Sequence, residues 1–357
     1  MPRRTTLREA PSLHRADDEE PGIRRLRAGK GFSYRRADGS TVDAATRERI
    51  QRLAVPPAWT DVWICPSPDG HIQATGRDAK GRKQYRYHDD WRAARELAKF
   101  GALATFGESL GRIRRRRNRD LADLPASRRS VPLDPVTAGV VMLLERTMVR
   151  VGNEEYVKAN GHYGLTTLRS QHVRIGRGGL LQFRFIGKSG VEHRIDVDDP
   201  RLAELVRRCR KLPGDHLFQY VNGDRAVHPV TSQLVNRYLR DAADADVTAK
   251  DFRTWMATLF AAHAFAALDP PATRAAMTRT TNAVIDLVAD KLQNTRAVCR
   301  ASYIHPAVLQ TYADGTFVER WEAAEMPRVR DLTAEERRLL GFLRAIESGR
   351  TRFQLAA

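Results

Sequence analysis

Cysteine is scarce: the 357 residues hold three, Cys65, Cys209 and Cys299, scattered and without a C-x-x-C pair. Neither a disulfide framework nor a zinc site finds support, which suits a reducing cytoplasm. Long apolar runs are missing as well. The longest stretch, "LFAAHAFAAL", spans ten residues and includes His263, far short of the ~20 needed to cross a bilayer, so no membrane is expected as a partner. The first twenty residues are charged and contain no apolar stretch, which points away from a secretory leader. "GKS" at 187–189 suggests a phosphate-binding loop, yet Gln182 stands where that pattern requires glycine, so no nucleotide site is expected. No H-E-x-x-H or other spaced histidine cluster occurs, and metal chemistry is not expected. Asp196, Asp198 and Asp199 could hold Mg²⁺, but aspartates directly before Pro200 read better as the end of a strand and a helix cap.

Acidic residues are also in deficit. Lys and Arg total 61 against 43 Asp and Glu, a net charge of +18, and the pI is about 10.4. Such a balance calls for a polyanion, nucleic acid before an anionic membrane surface.

Three regions follow along the chain. Residues 1–21 are polar and read as a flexible tail. Residues 22–90 read as a small β-rich domain: "GFSYRRADGSTV" and "VWICPSPDGHIQATGRDAKGRKQYRYH" set short aromatic and β-branched runs around Asp-Gly and Lys-Gly turns. Between them lies one short helix with Asp43 as N-cap and a Pro-Pro stop. From 91 to 357 helical periodicity dominates, first in "DDWRAARELAKFGALATFGESLGRIRRRRNRDL" and then throughout "DPVTAGVVMLLERTMVRVGNEEYVKAN". "GLTTLRSQHVRI" and "LLQFRFIGKSGVEHRIDV" alternate as strands, the second turning at "GKSG", and four or five helices are expected after them. The fold class is therefore α+β, with one small antiparallel sheet in a mostly helical second domain.

"RIRRRRNRD", 112–120, packs six arginines into nine residues. Like charges so close repel unless something anionic lies alongside, and phosphate tracking is the expected role. In "KQYRYH", 83–88, strand alternation puts Lys83, Tyr85 and Tyr87 on one face and Gln84, Arg86 and His88 on the other.

Four positions gain meaning jointly: Arg150 in "MVRVGNEEY", Lys188 in "FIGKSG", Arg253 in "AKDFRTWMAT" and Tyr303 in "AVCRASYIHP". A tyrosine hydroxyl, with its pKa of ~10, becomes a nucleophile when cations stabilise its anion. Arginines can clamp phosphate oxygens as charge builds, and a lysine can protonate the departing oxygen.

The ordered set "VRVGNEEY", "GLTTLRSQHV", "FIGKSG", "KDFRTW" and "AVCRASYIHP" resembles the type IB DNA topoisomerases, in the small poxvirus-like form found in bacteria, from about Gly22 onward. The resemblance implies a C-shaped clamp on double-stranded DNA, a monomer located with the nucleoid in the cytoplasm, and relaxation of supercoils with no cofactor, neither ATP nor metal. It implies Tyr303 as the nucleophile forming a 3′-phosphotyrosyl linkage, Arg150 and Arg253 as transition-state clamps, Lys188 as general acid, and Lys250 near the same phosphate. Asn294 stands where poxviral relatives carry histidine, and its amide N–H is assigned to a phosphate oxygen. Gln84 and Tyr85 match a DNA-contacting strand, Tyr156 a base-reading position, and Asn153 a lysine of the poxviral helix. A tyrosine recombinase shares this logic but usually carries His-x-x-Arg where "KDFR" has Lys250, and a helical rather than β-rich N-terminal domain. A catalytically inactive DNA-binding protein would not need a chemically competent residue at every position.

Overall fold

The computed structural model describes residues 13–125, 131–223, 226–269, 271 and 273–355. The chain divides into two compact units, residues 1–99 and 100–357.

In the first unit, strands β1 (Ile23–Ala28), β2 (Gly31–Arg35), β3 (Thr60–Ile64), β4 (Ile72–Arg77) and β5 (Lys83–Tyr87), with helix α1 (Ala44–Arg52) between β2 and β3, form an antiparallel sheet of order β2-β1-β3-β4-β5. Asp43 caps α1 as expected, accepting from the Thr46 amide at 2.8 Å. Ile50 of α1 packs on Ile23, Val62, Ile64 and Ala74, one contiguous apolar layer. The turn before β5 is built by Asp78, which accepts from the Lys80 and Arg82 amides at 2.9 and 3.0 Å and from the Arg82 guanidinium. Those bonds, the Arg82 side chain foremost, hold the Asp78 carboxyl down at about 2. Of the segment read as a tail, residues 1–12 lie outside the described residues. From His14 onward the backbone joins the unit: the His71 amide donates to the His14 carbonyl at 3.0 Å, Trp63 Nε1 to the Glu20 carbonyl at 3.0 Å, and Lys83 pairs with Asp18 at 2.8 Å.

Helix α2 (Asp89–Ala122) carries the arginine run, and the unit boundary at residue 99 falls inside it, nine residues beyond the boundary read from composition. In the second unit follow α3 (Leu133–Thr147), α4 (Glu154–Asn160), the sheet of β6 (Val173–Ile175), β7 (Leu180–Ile186) and β8 (Glu192–Asp198), α5 (Pro200–Cys209), and a ribbon of β9 (Gln219–Val221) and β10 (Val227–Pro229). Then come α6 (Ser232–Ala243), α7 (Ala249–Ala266), α8 (Arg274–Leu292), α9 (Arg296–Ser302), α10 (Pro306–Ala313), α11 (Phe317–Glu322) and α12 (Ala334–Leu355). The architecture is α+β, as expected.

Several local expectations are corrected. Helical periodicity from 134 to 160 is interrupted by a loop, because Met148 takes a left-handed conformation and Gly152 a φ of +100° before Asn153 caps α4. Half of "GLTTLRSQHVRI" forms two 3₁₀ turns, leaving only Val173–Ile175 as strand, since the amides of Leu165 and Thr166 are spent on the carbonyls of Arg150 and Val151. The helices after the hairpin number eight among the described residues, not four or five, because caps and Pro306 divide the C-terminal periodicity into short pieces. Asp199 is the cap expected of it, accepting from the amides of Arg201 and Leu202 at 3.0 and 3.2 Å.

Helix α7 runs through the middle of this unit, packed by α3, α6, α8, α10, α11 and α12. Phe252, Trp255 and Phe265 are fully buried on it, each such side chain contributing on the order of 1.5–3 kcal/mol. Phe265 stacks on Tyr312 at 4.0 Å, and Phe317, Trp321 and Phe342 extend the aromatic layer. A helix held on so many sides is a rigid platform for the side chains near its N-terminus.

Candidate active site

Arg150 owes its position to two glycines. A side chain on Gly164 would lie 2.5 Å from the Gly152 Cα and 2.7 Å from the Arg150 carbonyl oxygen, so the two segments run backbone against backbone. The Leu165 amide donates to the Arg150 carbonyl at 3.0 Å and the Thr166 amide to that of Val151 at 2.7 Å. The arginine therefore projects from a braced loop, not from a helix face. Its Nη2 donates to Asn294 Oδ1 at 2.5 Å.

Arg253 stands one turn into α7 and is 4% exposed. Its guanidinium donates to the Met148 carbonyl and, at 2.8 Å, to the Leu292 carbonyl. These acceptors close α3 and α8, the negative ends of two helix dipoles, which offset the cost of burying the charge. Nε is buried with no hydrogen-bond partner among the described residues. Burial, then the neighbouring Arg150, lowers the Arg253 pKa from its usual value.

Tyr303 sits where α9 breaks. Pro306 opens α10, the residue before it is extended, and His305 caps α10 through Nδ1. The buried Thr258 hydroxyl stitches the break, accepting from the His305 amide at 3.1 Å and sharing its proton between the Thr254 carbonyl at 2.7 Å and the Tyr303 carbonyl at 3.2 Å. The phenol ring is 8% exposed and lies 5.1 Å from the Arg253 guanidinium carbon. Burial works to raise the phenol pKa, but Arg253, by charge and by a hydrogen bond, and then Arg150 and Lys250 carry it below the ordinary tyrosine value.

These residues line a cavity of about 290 Å³ with Lys188, Lys250, Tyr156, Asn153, His162 and Tyr163 among the others. Lys188 is exposed at the tip of the β7–β8 hairpin. Lys250 precedes Arg253 by three residues on α7 and so shares its face. Among the described residues the lining contains four cations, Arg150, Lys188, Lys250 and Arg253, and no carboxylate. Unneutralised positive charge around a phenol suits an anionic tetrahedral or trigonal-bipyramidal centre better than a neutral ligand.

Of the other expected residues, Asn294 lies in the loop after α8; its Oδ1 accepts from Arg150, while its Nδ2 is buried without a hydrogen-bond partner among the described residues. Asn153 spends its side-chain oxygen on capping α4, accepting from the Glu155 amide at 2.9 Å, and Tyr156 is 52% exposed. Gln84 and Tyr85 belong to the other unit and point to opposite faces of β5. Tyr85 is exposed and stacks on Tyr87 at 5.8 Å, whereas Gln84 is half-buried and donates to Asp78 at 3.0 Å. Sequence reasoning overlooked Thr258 and His193. The first is one hydroxyl in an apolar helix, and the second is an unremarkable strand position.

The arginine run, expected to track phosphates, is engaged mostly by acids of its own chain. Arg114 bridges Glu145 and Glu336 at 2.6 and 2.7 Å, Arg117 pairs with Glu145, Arg115 with Asp331 at 2.7 Å, and Arg116 and Arg119 with Asp120 at 3.3 and 3.1 Å. Arg112 donates to the Ala243 carbonyl. Five of the six arginines thus have carboxylate partners within the same protein.

Comparison with known proteins gives matches along most of the chain. Residues 88–328 match the family described as eukaryotic DNA topoisomerase I, catalytic core, and residues 31–78 match the bacterial DNA topoisomerase IB N-terminal domain. The chain is 31% identical over 299 residues to DNA topoisomerase 1B of Acanthamoeba polyphaga mimivirus, covering 82% of this chain and 87% of the relative. A shorter match, 30% over 120 residues, covers 33% of this chain and 14% of DNA topoisomerase 1 of Daucus carota.

Proposed function

Because the chain belongs to the type IB DNA topoisomerases, we propose that it relaxes supercoiled DNA by reversible transesterification at Tyr303, with no ATP or metal ion. The Tyr303 hydroxyl gives up its proton to solvent water and its oxygen attacks a backbone phosphorus. The bond from phosphorus to the 5′-oxygen breaks, leaving a 3′-phosphotyrosyl enzyme. Lys188 supplies the proton that the departing 5′-oxygen takes. Arg150 and Arg253 stabilise the non-bridging oxygens as negative charge gathers on them, and Asn294 adds one N–H through Nδ2. The freed end rotates, and attack by the 5′-hydroxyl reverses each step, so the phosphodiester energy is conserved. Lys250, Asn153 and Tyr156 contact the DNA beside the scissile phosphate. Residues 22–90, through Gln84 and Tyr85, contribute to holding the duplex, with the protein acting as a monomer at the nucleoid.

The observation that carries this reading is the cavity lining, where, among the described residues, four cations and no carboxylate surround one partly activated phenol. Plasmid relaxation in EDTA without nucleotide is the direct test, and positive and negative supercoils should both be removed. An absolute demand for Mg²⁺ or ATP would overturn the mechanism. Tyr303→Phe should bind DNA and yield no denaturation-resistant adduct, since only the attacking oxygen is lost.

A further inference from the structure

The Lys188 turn rests on a buried ring that the mechanism above does not use. In the β7–β8 register Phe185 faces His193, and the two rings stack at 4.7 Å with an interplanar angle of 4°. Both are buried, at 5% and 7% exposure. The imidazole continues under the hairpin tip: a side chain on Gly187 would lie 2.4 Å from His193 Nε2 and 2.6 Å from Cδ2. Gly187 has a φ of −96°, which any residue can adopt. What requires glycine there is the ring and not the backbone.

The rest of the hairpin is pinned on both sides. The Gly187 amide donates to the Val191 carbonyl and the Tyr163 amide to that of Ile186, each at 2.8 Å. Tyr163 meets His172 edge-on at 4.3 Å, and His172 lies 6.4 Å from Phe185. Aromatic rings thus run from the cavity wall to the base of the tip.

We infer that His193 is a positioning residue for Lys188: its imidazole fills the space beneath Gly187 and sets the height at which the turn presents the lysine ammonium to the leaving oxygen. The inference rests on the proposed acid role of Lys188. A neutral ring suits the task. Burial, followed by Arg150 and Arg253, holds the His193 pKa at about 4, so the support adds no cation beside the two arginines near neutral pH.

The test uses the full-length protein under single-turnover conditions on two oligonucleotide duplexes, one with the normal 5′-bridging oxygen and one with sulfur there. A thiolate leaves without a proton, so defects that act through the general acid vanish on sulfur. His193→Ala and Gly187→Ala should each cleave the oxygen substrate roughly 10- to 100-fold slower, the scale for a misplaced catalytic group. On the sulfur substrate both should approach the parent rate. The double variant Gly187→Ala/His193→Ala should be faster on oxygen than Gly187→Ala alone, because removing the ring makes room for the new methyl. Gly187→Ala keeps the imidazole, so its rates on the two substrates read the same contact from the turn side should His193→Ala fold poorly. Lys188→Ala is the reference. If sulfur rescues Lys188→Ala but not the His193 and Gly187 variants, or if the double variant shows no recovery, the inference is wrong while the Lys188 reading stands. If sulfur fails to rescue Lys188→Ala, both fall.

Discussion

Two concentrations of positive charge in the second unit behave in opposite ways. The arginine run of α2 is dense in sequence and largely ion-paired in space, whereas the cavity cations are dispersed over a hundred residues of sequence and converge with no carboxylate among the described lining residues. Charge density along a chain therefore says little about where a polyanion is bound. What matters is whether the fold brings carboxylates to the same place. In α2 the arginines draw α3, α12 and the segment before α12 together, through Glu145, Glu336 and Asp331. They are structural cross-links. Around Tyr303 the fold supplies backbone carbonyls and an asparagine oxygen instead, which hold the arginines without cancelling them.

The largest effect separating these roles should be on stability. Arg114 is 16% exposed and Glu336 only 3%, so Arg114→Ala leaves a buried carboxylate uncompensated, a loss of about 3–5 kcal/mol. Burial opposes the charge on Arg114, but Glu336 and Glu145 outweigh it and hold the guanidinium protonated more firmly than usual. Thermal denaturation should show a clearly lowered Tm, with DNA affinity of the still-folded protein near that of the parent. An unchanged Tm together with weakened DNA binding would reverse the assignment and return the run to phosphate tracking.

Asn294 sharpens the other side of the comparison. Asn294→Ala should leave DNA affinity intact and slow cleavage by roughly 10² to 10³, the usual loss for one preorganised donor. Asn294→His should recover much of that rate, because an imidazole N–H can serve the same oxygen, and the variant should acquire a titration near ~6.5 that the parent lacks. Near-parental cleavage by Asn294→Ala would leave the stabilisation to the two arginines and reduce Asn294 to a brace for Arg150.

Much of this was legible beforehand, for local reasons. The β7–β8 hairpin announces itself by alternation around "GKSG", and the Asp43 and Asp199 caps by side-chain chemistry that acts within three residues. The members of the cavity were identifiable by residue type and by the order of their motifs. What could not be read is non-local. The carboxylate that neutralises Arg114 at Glu336 lies 222 positions away, and no window of sequence contains both. The loop carrying Arg150 was hidden because its apolar spacing continues that of α3. The interruption comes from a left-handed Met148 and from the close approach of Gly164, a contact made across a turn of chain. His193 likewise gains meaning only once the hairpin register puts it under Gly187.

The smallest expected effect is also the most direct comparison of the two charge sets, because it measures counterions. Lys250 is exposed, lines the cavity and has no carboxylate beside it in that lining. If it meets a phosphate, Lys250→Ala should reduce the slope of log affinity against log salt by about 0.9, one phosphate's worth of released counterions. Arg115 is similarly exposed, at 51%, but is paired with Asp331. Forming a phosphate contact there would require breaking that pair, so Arg115→Ala should leave the salt slope unchanged and alter stability by no more than ~1 kcal/mol. The two substitutions remove the same unit of charge from the same unit of the protein, so any difference between them reports location and not net charge. Equal reductions in slope would mean that the run gives up its carboxylate when DNA arrives, and the contrast between neutralised and unneutralised cations would no longer describe the bound state.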